Sequence, residues 1–191
     1  MTGAAGAVPG FRPENELERR VASDPVLAEG LAWGKPRSGH PEGRVGEHVA
    51  DLLRTLDSWG EPGARRGELR VMVLVHDALK YKVQHWRPRT GENHHAMRAR
   101  RFAERYTGDE RLLVAIELHD RPYSIWRRLK RSGRPPDEAL DEMLARIPDP
   151  ALFLRFVELD GSAEGKDPEP VRWLTEQLER RGLDIGSPSR A

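Results

Sequence analysis

The sequence predicts an all-α fold, a single-domain helical bundle, on three observations. Apolar residues recur at helical spacing through most of the chain, as in Val45, Val49, Leu52, Leu53 and Leu56. Helix-opening signals such as Asp24-Pro25 and Asp149-Pro150 stand ahead of several of these stripes. No pair of alternating apolar stretches reads as two strands, and there is no internal repeat.

The chain has 191 residues, enough for one domain with a substantial core. Its 32 Lys and Arg nearly cancel its 31 Asp and Glu, giving a formal net charge of +1. That balance argues against a dedicated nucleic-acid binder, which carries a basic excess. No apolar run approaches the roughly 20 residues needed to span a bilayer, so no membrane association is expected. Residues 1–10 lack the basic lead-in and long apolar segment of a signal peptide, and a cytoplasmic location is the expectation. There is no cysteine, which excludes disulfides, thiolate zinc sites and a thiol nucleophile. Any metal must be held by nitrogen and oxygen.

Residues 1–13, rich in Gly, Ala and Pro, read as disordered or loosely attached. Helix is expected over 14–33 with Leu17, Val21, Leu27 and Leu31 inward and a break at Asp24-Pro25. Residues 34–43 form a loop containing Arg37 and His40. The next helix, 44–59, carries His48 on its apolar stripe. Residues 65–80 follow with Leu69, Met72, Val73 and His76 on one face, although Val71–Val75 alone would also suit a strand. A polar connection over 81–92 contains His85, Trp86, Arg87 and Arg89. Asn93 is a candidate cap for a helix over 94–106. Helices are then expected over 109–120, 121–131, from Pro135-Pro136 to 147, from Asp149-Pro150 through Asp160, and over 168–181. The domain is expected to occupy 14–182, with 183–191 a mobile tail.

Leu69 to Lys80 delivers an adjacent His76-Asp77 pair to the interior, with Lys80 one turn on. Burying imidazole beside carboxylate is costly unless compensated, and a metal is the usual compensation. A His-Asp dipeptide alone carries little information, since chance gives roughly 0.4 in a chain of this composition. The second pair here, His119-Asp120, and the positions of the other histidines add to it. His48, His76, His119 and Asp160 each extend the apolar stripe of a different expected helix, so all four point at one core. His94 or His95 adds a donor at the start of a further helix. Singly, each could be a core histidine bonded to a carbonyl or water; together, each would need its own separate partner. His40 and His85 lie in loops and read as solvated.

This ordered set resembles the HD superfamily of metal-dependent phosphohydrolases, whose signature is a lone His, an adjacent His-Asp and a distant Asp on successive helices. The matching positions are His48, His76-Asp77 and Asp160, with Lys80 in the slot three residues after the HD aspartate in many members. Gly39-His40-Pro41-Glu42-Gly43 is similar to the entry of some members, and the resemblance covers about residues 39 to 165. A subset adds two histidines and holds a second metal; His94 or His95, then His119, fill those positions. The resemblance implies one or two divalent ions (Mn, Fe, Co, Ni or Mg), with Asp77 able to bridge, and hydroxide from metal-bound water as nucleophile. It implies catalytic roles for Asp77 and Lys80, the lysine facing phosphate oxygens; Lys80 could equally be a solvated helix-end lysine.

Lys80, Arg37, Arg87, Arg89 and the Arg121–Arg128 segment are candidates to bind phosphate, and Trp86, Tyr123 and Trp126 to stack on a base. Each arginine taken singly is more often a solvated side chain, and Tyr123 and Trp126 could equally be packing residues. Asp120 could orient His119 or cap the following helix. The expected substrate is a small phosphorylated molecule, nucleotide-like, and the chain is expected as a monomer or homodimer. Two other readings stay open: a di-iron oxygenase of the same fold, and a non-catalytic ligand-binding or regulatory module.

Overall fold

The computed structural model describes residues 4–36, 43–134 and 137–186. In chain order the α-helices are α1 (Ala4–Ala7), α2 (Glu16–Ala22), α3 (Pro25–Ala32), α4 (Val45–Trp59), α5 (Gly63–Val75), α6 (His95–Ala103), α7 (Glu110–Leu118), α8 (Arg121–Ser132), α9 (Asp137–Leu144), α10 (Pro150–Gly161) and α11 (Glu169–Arg180). Short 3-10 turns at Lys80–Lys82 and Gly91–Asn93 precede α6. Among the described residues there is no strand, only an isolated bridge between Gly34 and Arg44. The fold is all-α.

Four helices make the centre. α4, α5, α7 and α10 pack on one another around the fully buried Phe153 and Phe156 of α10. His48 lies in the first turn of α4, His76 and His119 directly follow α5 and α7, and Asp160 lies in the last turn of α10. α6 lies across α7 and α5, while α8 packs on α9 and α11. Local signals set most boundaries. The Asp24 carboxylate accepts from the Val26 N–H at 2.7 Å to open α3, and Asp149 accepts from Leu152 N–H at 2.8 Å to open α10. Both helices begin on a proline, which has no N–H to leave unsatisfied. The Val71–Val75 run is helical and wholly buried, because α5 is covered on several sides and needs no polar face there.

Some expectations are corrected. Residues 4–13 are not loose: Ala4, Val8 and Phe11 are buried in the core. Their small-residue composition serves close approach, since a Cβ added at Gly46 of α4 would lie 1.9 Å from the Ala7 carbonyl oxygen. Phe11 also lies under the Arg70 guanidinium, 5.6 Å from the ring centre. Residues 1–3 lie outside the described residues. In the expected tail, Leu183 and Ile185 are partly buried against the core, and residues 187–191 lie outside the described residues. α5 stops at Val75 rather than Lys80, because i→i+3 bonds take over, from Ala78 N–H to Val75 O and from Lys80 N–H to Asp77 O, both 3.1 Å. The cap of α6 is His94, whose Nδ1 accepts from Ala96 N–H at 3.3 Å. Asn93 instead ties the preceding loop, accepting from Gln84 N–H at 2.9 Å and donating to the Gln84 and Pro88 carbonyls, both at 3.0 Å.

One buried ion pair joins the N-terminal part to α5. Glu18 is fully buried, and Arg70 donates from Nε to both of its carboxylate oxygens at 3.1 Å and from a terminal nitrogen to the Arg12 carbonyl at 2.8 Å. Glu18 also accepts from Glu14 N–H at 3.0 Å and Asn15 Nδ2 at 2.8 Å, so its charge is fully engaged.

Candidate metal centre

Helix ends bring the site together. His76 is the first residue beyond α5 and His119 the first beyond α7, and each donates from Nδ1 to the carbonyl three residues back. These bonds, 2.9 Å to Val73 O and 2.8 Å to Ile116 O, satisfy last-turn carbonyls that the helix leaves without a partner. They also fix both rings with Nδ1 protonated and Nε2 carrying the lone pair, the arrangement typical of metal-ligating histidine. The two rings meet edge to face with centres 5.1 Å apart.

Around them the expected ligands converge. Asp160, in the last turn of α10, places Oδ1 3.3 Å from His48 Nε2 and 3.5 Å from His76 Nε2. Asp77 divides its two oxygens. Oδ2 lies 3.6 Å from His76 Nε2 and takes an ion pair from Lys80, while Oδ1 lies 3.5 Å from His95 Nε2 and 3.7 Å from His119 Nε2. His76 Nε2 and Asp77 Oδ1 are buried and make no hydrogen bond. Orphaned polar atoms are costly, and separations of 3.5–3.7 Å are too long to be hydrogen bonds. They suit donors shared by an ion: two atoms each about 2.1 Å from a metal lie about 3.0–3.4 Å apart at right or tetrahedral angles. Two donor sets, His48/His76/Asp77 and Asp77/His95/His119, each gather ligand atoms within 4.8 Å and share Asp77.

The structure separates His95 from His94. His95 faces Asp77 and His119, whereas His94 turns to Asp120, with Nε2 3.4 Å from Oδ2. His94, His95 and Asp120 form a third, more open donor set. Sequence spacing alone could not make that distinction between adjacent residues.

Electrostatics follow the charge layout. Burial opposes ionisation of Asp77, yet the Lys80 ammonium and the His76 and His119 rings hold its carboxyl well below the usual range. Asp160 behaves likewise under Lys166, His48 and His76. Burial keeps His76 below the ordinary imidazole value. Burial, with His119 beside it, pushes His95 down to about 3, while for His119 the pull of Asp77, Asp120 and Asp160 overcomes burial and raises it to about 9.

Two clefts open on the cluster. One, of about 490 Å³, has Asp77, Lys80, His95, His119, Asp160 and Lys166 in its walls. The other, about 460 Å³, holds His94, Arg89, Arg121 and Arg146, and Asp120 lines both. Lys166 was not anticipated. It donates to Asp160 Oδ1 at 2.6 Å from the loop after α10, where no periodicity marks it. Among the other candidates, Arg89 lines the second cleft, but Arg87 and Trp86 line neither. Arg87 is exposed and donates to Gln84 Oε1 at 3.3 Å, and Trp86 is 81% exposed. The 81–92 loop is tied down by Asn93 and points these two outward. Arg37, with His40, lies outside the described residues. His85 is exposed, with Nδ1 3.2 Å from an Arg89 terminal nitrogen.

The family model for the HD domain matches residues 43–147, a span that includes every histidine of the cluster and Asp77 and stops short of Asp160 and Lys166. No curated protein and no solved structure matches the chain.

Proposed function

The chain belongs to the HD domain family, whose members are generally metal-dependent hydrolases, and from that premise we propose that it is a phosphohydrolase acting on a nucleotide or other small phosphate ester. The observation carrying this reading is the shared carboxylate. Asp77 turns one oxygen to each of two donor sets, with His76 Nε2 and Asp77 Oδ1 buried and unbonded. His48, His76, Asp77 and Asp160 would hold one divalent ion, and Asp77, His95 and His119 a second. When bound, such ions lower the pKa of a coordinated water and polarise a phosphoryl oxygen.

The remaining work falls to the chain. The Ile116 and Val73 carbonyls keep His119 and His76 in the ligating tautomer. Lys80 and Lys166, each paired to a site carboxylate, border the 490 Å³ cleft and supply positive charge where phosphate oxygens would sit. Asp120, between the two clefts, orients His94. Arg89 and Arg121 in the second cleft suit the non-reacting part of an anionic substrate.

The test is phosphate release from a panel of nucleotides and sugar phosphates by protein reconstituted with Mn²⁺, Fe²⁺ or Co²⁺. Turnover that chelation abolishes and that Asp77→Asn lowers by about 10³-fold or more supports the reading. Because six donors would also suit two irons, the assay is run with and without dioxygen. Turnover only with both iron and dioxygen would replace hydrolysis with oxygenation, and no turnover with any metal would leave a binding module.

A further inference from the structure

From the start of α8 onward, the surface has a composition the whole-chain charge conceals. Between Arg121 and Arg134 stand six cations, Arg121, Arg127, Arg128, Lys130, Arg131 and Arg134, and no acid. All six are exposed, and among the described residues none has a carboxylate within 4 Å. Elsewhere most arginines of the helices are paired, such as Arg66, Arg70, Arg100 and Arg111. Adjacent α9 is acidic, yet Asp137 and Asp141 go to Arg181, at 3.7 and 2.9 Å. Two aromatic rings are set among the cations. Tyr123, 48% exposed, stacks on Trp126 with centres 6.1 Å apart, and Arg127 and Lys130 lie over these rings at 5.6 and 5.3 Å.

This strip leads into the candidate site. Pro122 and Tyr123 line the cleft containing Asp77 and Lys80, and Arg121 and Ser124 line the second cleft. Unpaired cations interleaved with one exposed ring, Tyr123, and one half-buried ring, Trp126, are the kind of elements that bind single-stranded nucleic acid, the cations following phosphates and the accessible ring face stacking on a base. A lipid surface would need the apolar face of the helix. Here Pro122 and Ile125 are buried, and α8 is packed on α9 and α11.

We propose that the exposed face of α8 binds a single-stranded nucleic acid and leads its end to the metal cleft. This rests on the phosphohydrolase reading for the fate of the strand's end, but not for the docking. The test therefore measures binding alone. Fluorescence anisotropy of a labelled 12-nucleotide single strand is followed in the presence of chelator, against a matched duplex and anionic phosphatidylserine vesicles.

Saturable binding of the single strand is expected, with affinity falling on added salt at a log–log slope of about −3, as for four neutralised phosphates. Arg127→Glu/Arg131→Glu should weaken it at least tenfold, and Tyr123→Ala several-fold. Arg19→Glu/Arg54→Glu, the same charge change on α2 and α4, should leave affinity within about twofold. No binding by the folded wild type, equal loss in both double variants, equal affinity for the duplex, or binding to vesicles alone would each overturn the proposal. Failure of phosphate release together with intact strand binding would remove the hydrolase reading and leave the docking surface standing.

Discussion

Gly30 offers a sharp test of how the HD turn is held. It lies in α3, and a Cβ built there would sit 1.8 Å from the Ala78 carbonyl oxygen, 2.8 Å from its carbon and 3.1 Å from Tyr81 Cε1. Carbon–oxygen contacts settle near 3.3 Å or beyond, so Gly30→Ala must open this interface by roughly 1.5 Å. The obstacle is backbone, one residue after Asp77, and cannot rotate away. Overpacking of this kind costs about 1–3 kcal/mol. In an open helix interior the same substitution would gain about 1 kcal/mol. Because the obstacle is backbone, the upper part of that range, about 2–3 kcal/mol, applies, which leaves a net loss of about 1–2 kcal/mol and a fall in Tm of about 2–8 °C for a chain of this length. Gly108, with nothing within 4 Å of an added Cβ, is the control, and Gly108→Ala should leave Tm unchanged or slightly raised. Thermal melts followed by circular dichroism, with metal content by plasma emission, make the comparison. Because displacement of about 1 Å at a reacting centre costs on the order of 10²-fold, phosphate release should fall further than stability. A Gly30→Ala protein as stable as the wild type, or more so, would refute the account of this contact.

Arg70→Met strands the fully buried Glu18 carboxylate and should destabilise by about 3–5 kcal/mol in urea unfolding, whereas Glu18→Leu/Arg70→Met should recover much of that loss. At Asp24, burial opposes ionisation, but the Tyr106 hydroxyl, the Val26 N–H and Arg105 hold the carboxyl below its ordinary value. Its contribution is therefore complete above the unfolded pKa and lost as pH falls through the folded one. Asp24→Asn should flatten the acid limb of the stability–pH curve below about pH 4 while costing about 1 kcal/mol or less at pH 7, where the amide still caps α3. Mn²⁺ at about a hundred times its Kd should stabilise the wild type by about 2.7 kcal/mol, read as a rise in Tm. Asp77→Asn should abolish that rise, and its persistence would remove Asp77 from the ligand set.

The helices and the convergence of His48, His76, His119 and Asp160 were legible because burial imposes a period on sequence, and a polar residue on an apolar stripe is conspicuous. The N-terminal residues were misread for the opposite reason. Ala4, Ala7 and Gly46 look like filler, yet small side chains are what permit backbones to touch. Lys166 gave no signal, since it reaches Asp160 from an aperiodic loop. Which of His94 and His95 faces Asp77 depended on where α6 begins, and one residue of shift at a helix start rotates a side chain by about 100°. The cationic face of α8 was visible as a run of arginines, but its lack of acidic partners is a fact of tertiary packing.

The chain enters the candidate metal centre with consistent polarity. His76 and His119 follow the last residues of α5 and α7, and Asp160 lies in the last turn of α10, whereas His95 opens α6 and Asp120 precedes α8. Three helices thus bring their carbonyl ends to the cluster, and two bring amide ends. Each terminus carries roughly half an elementary charge, so the backbone alone produces a potential that is negative where cations gather and positive facing α6 and α8. Mobile ions screen exposed charges within about 10 Å at 0.1 M salt but penetrate a packed interior poorly. Cation affinity at this centre should accordingly change little between 0.05 and 0.5 M salt, measured in about the range where surface pairing fades.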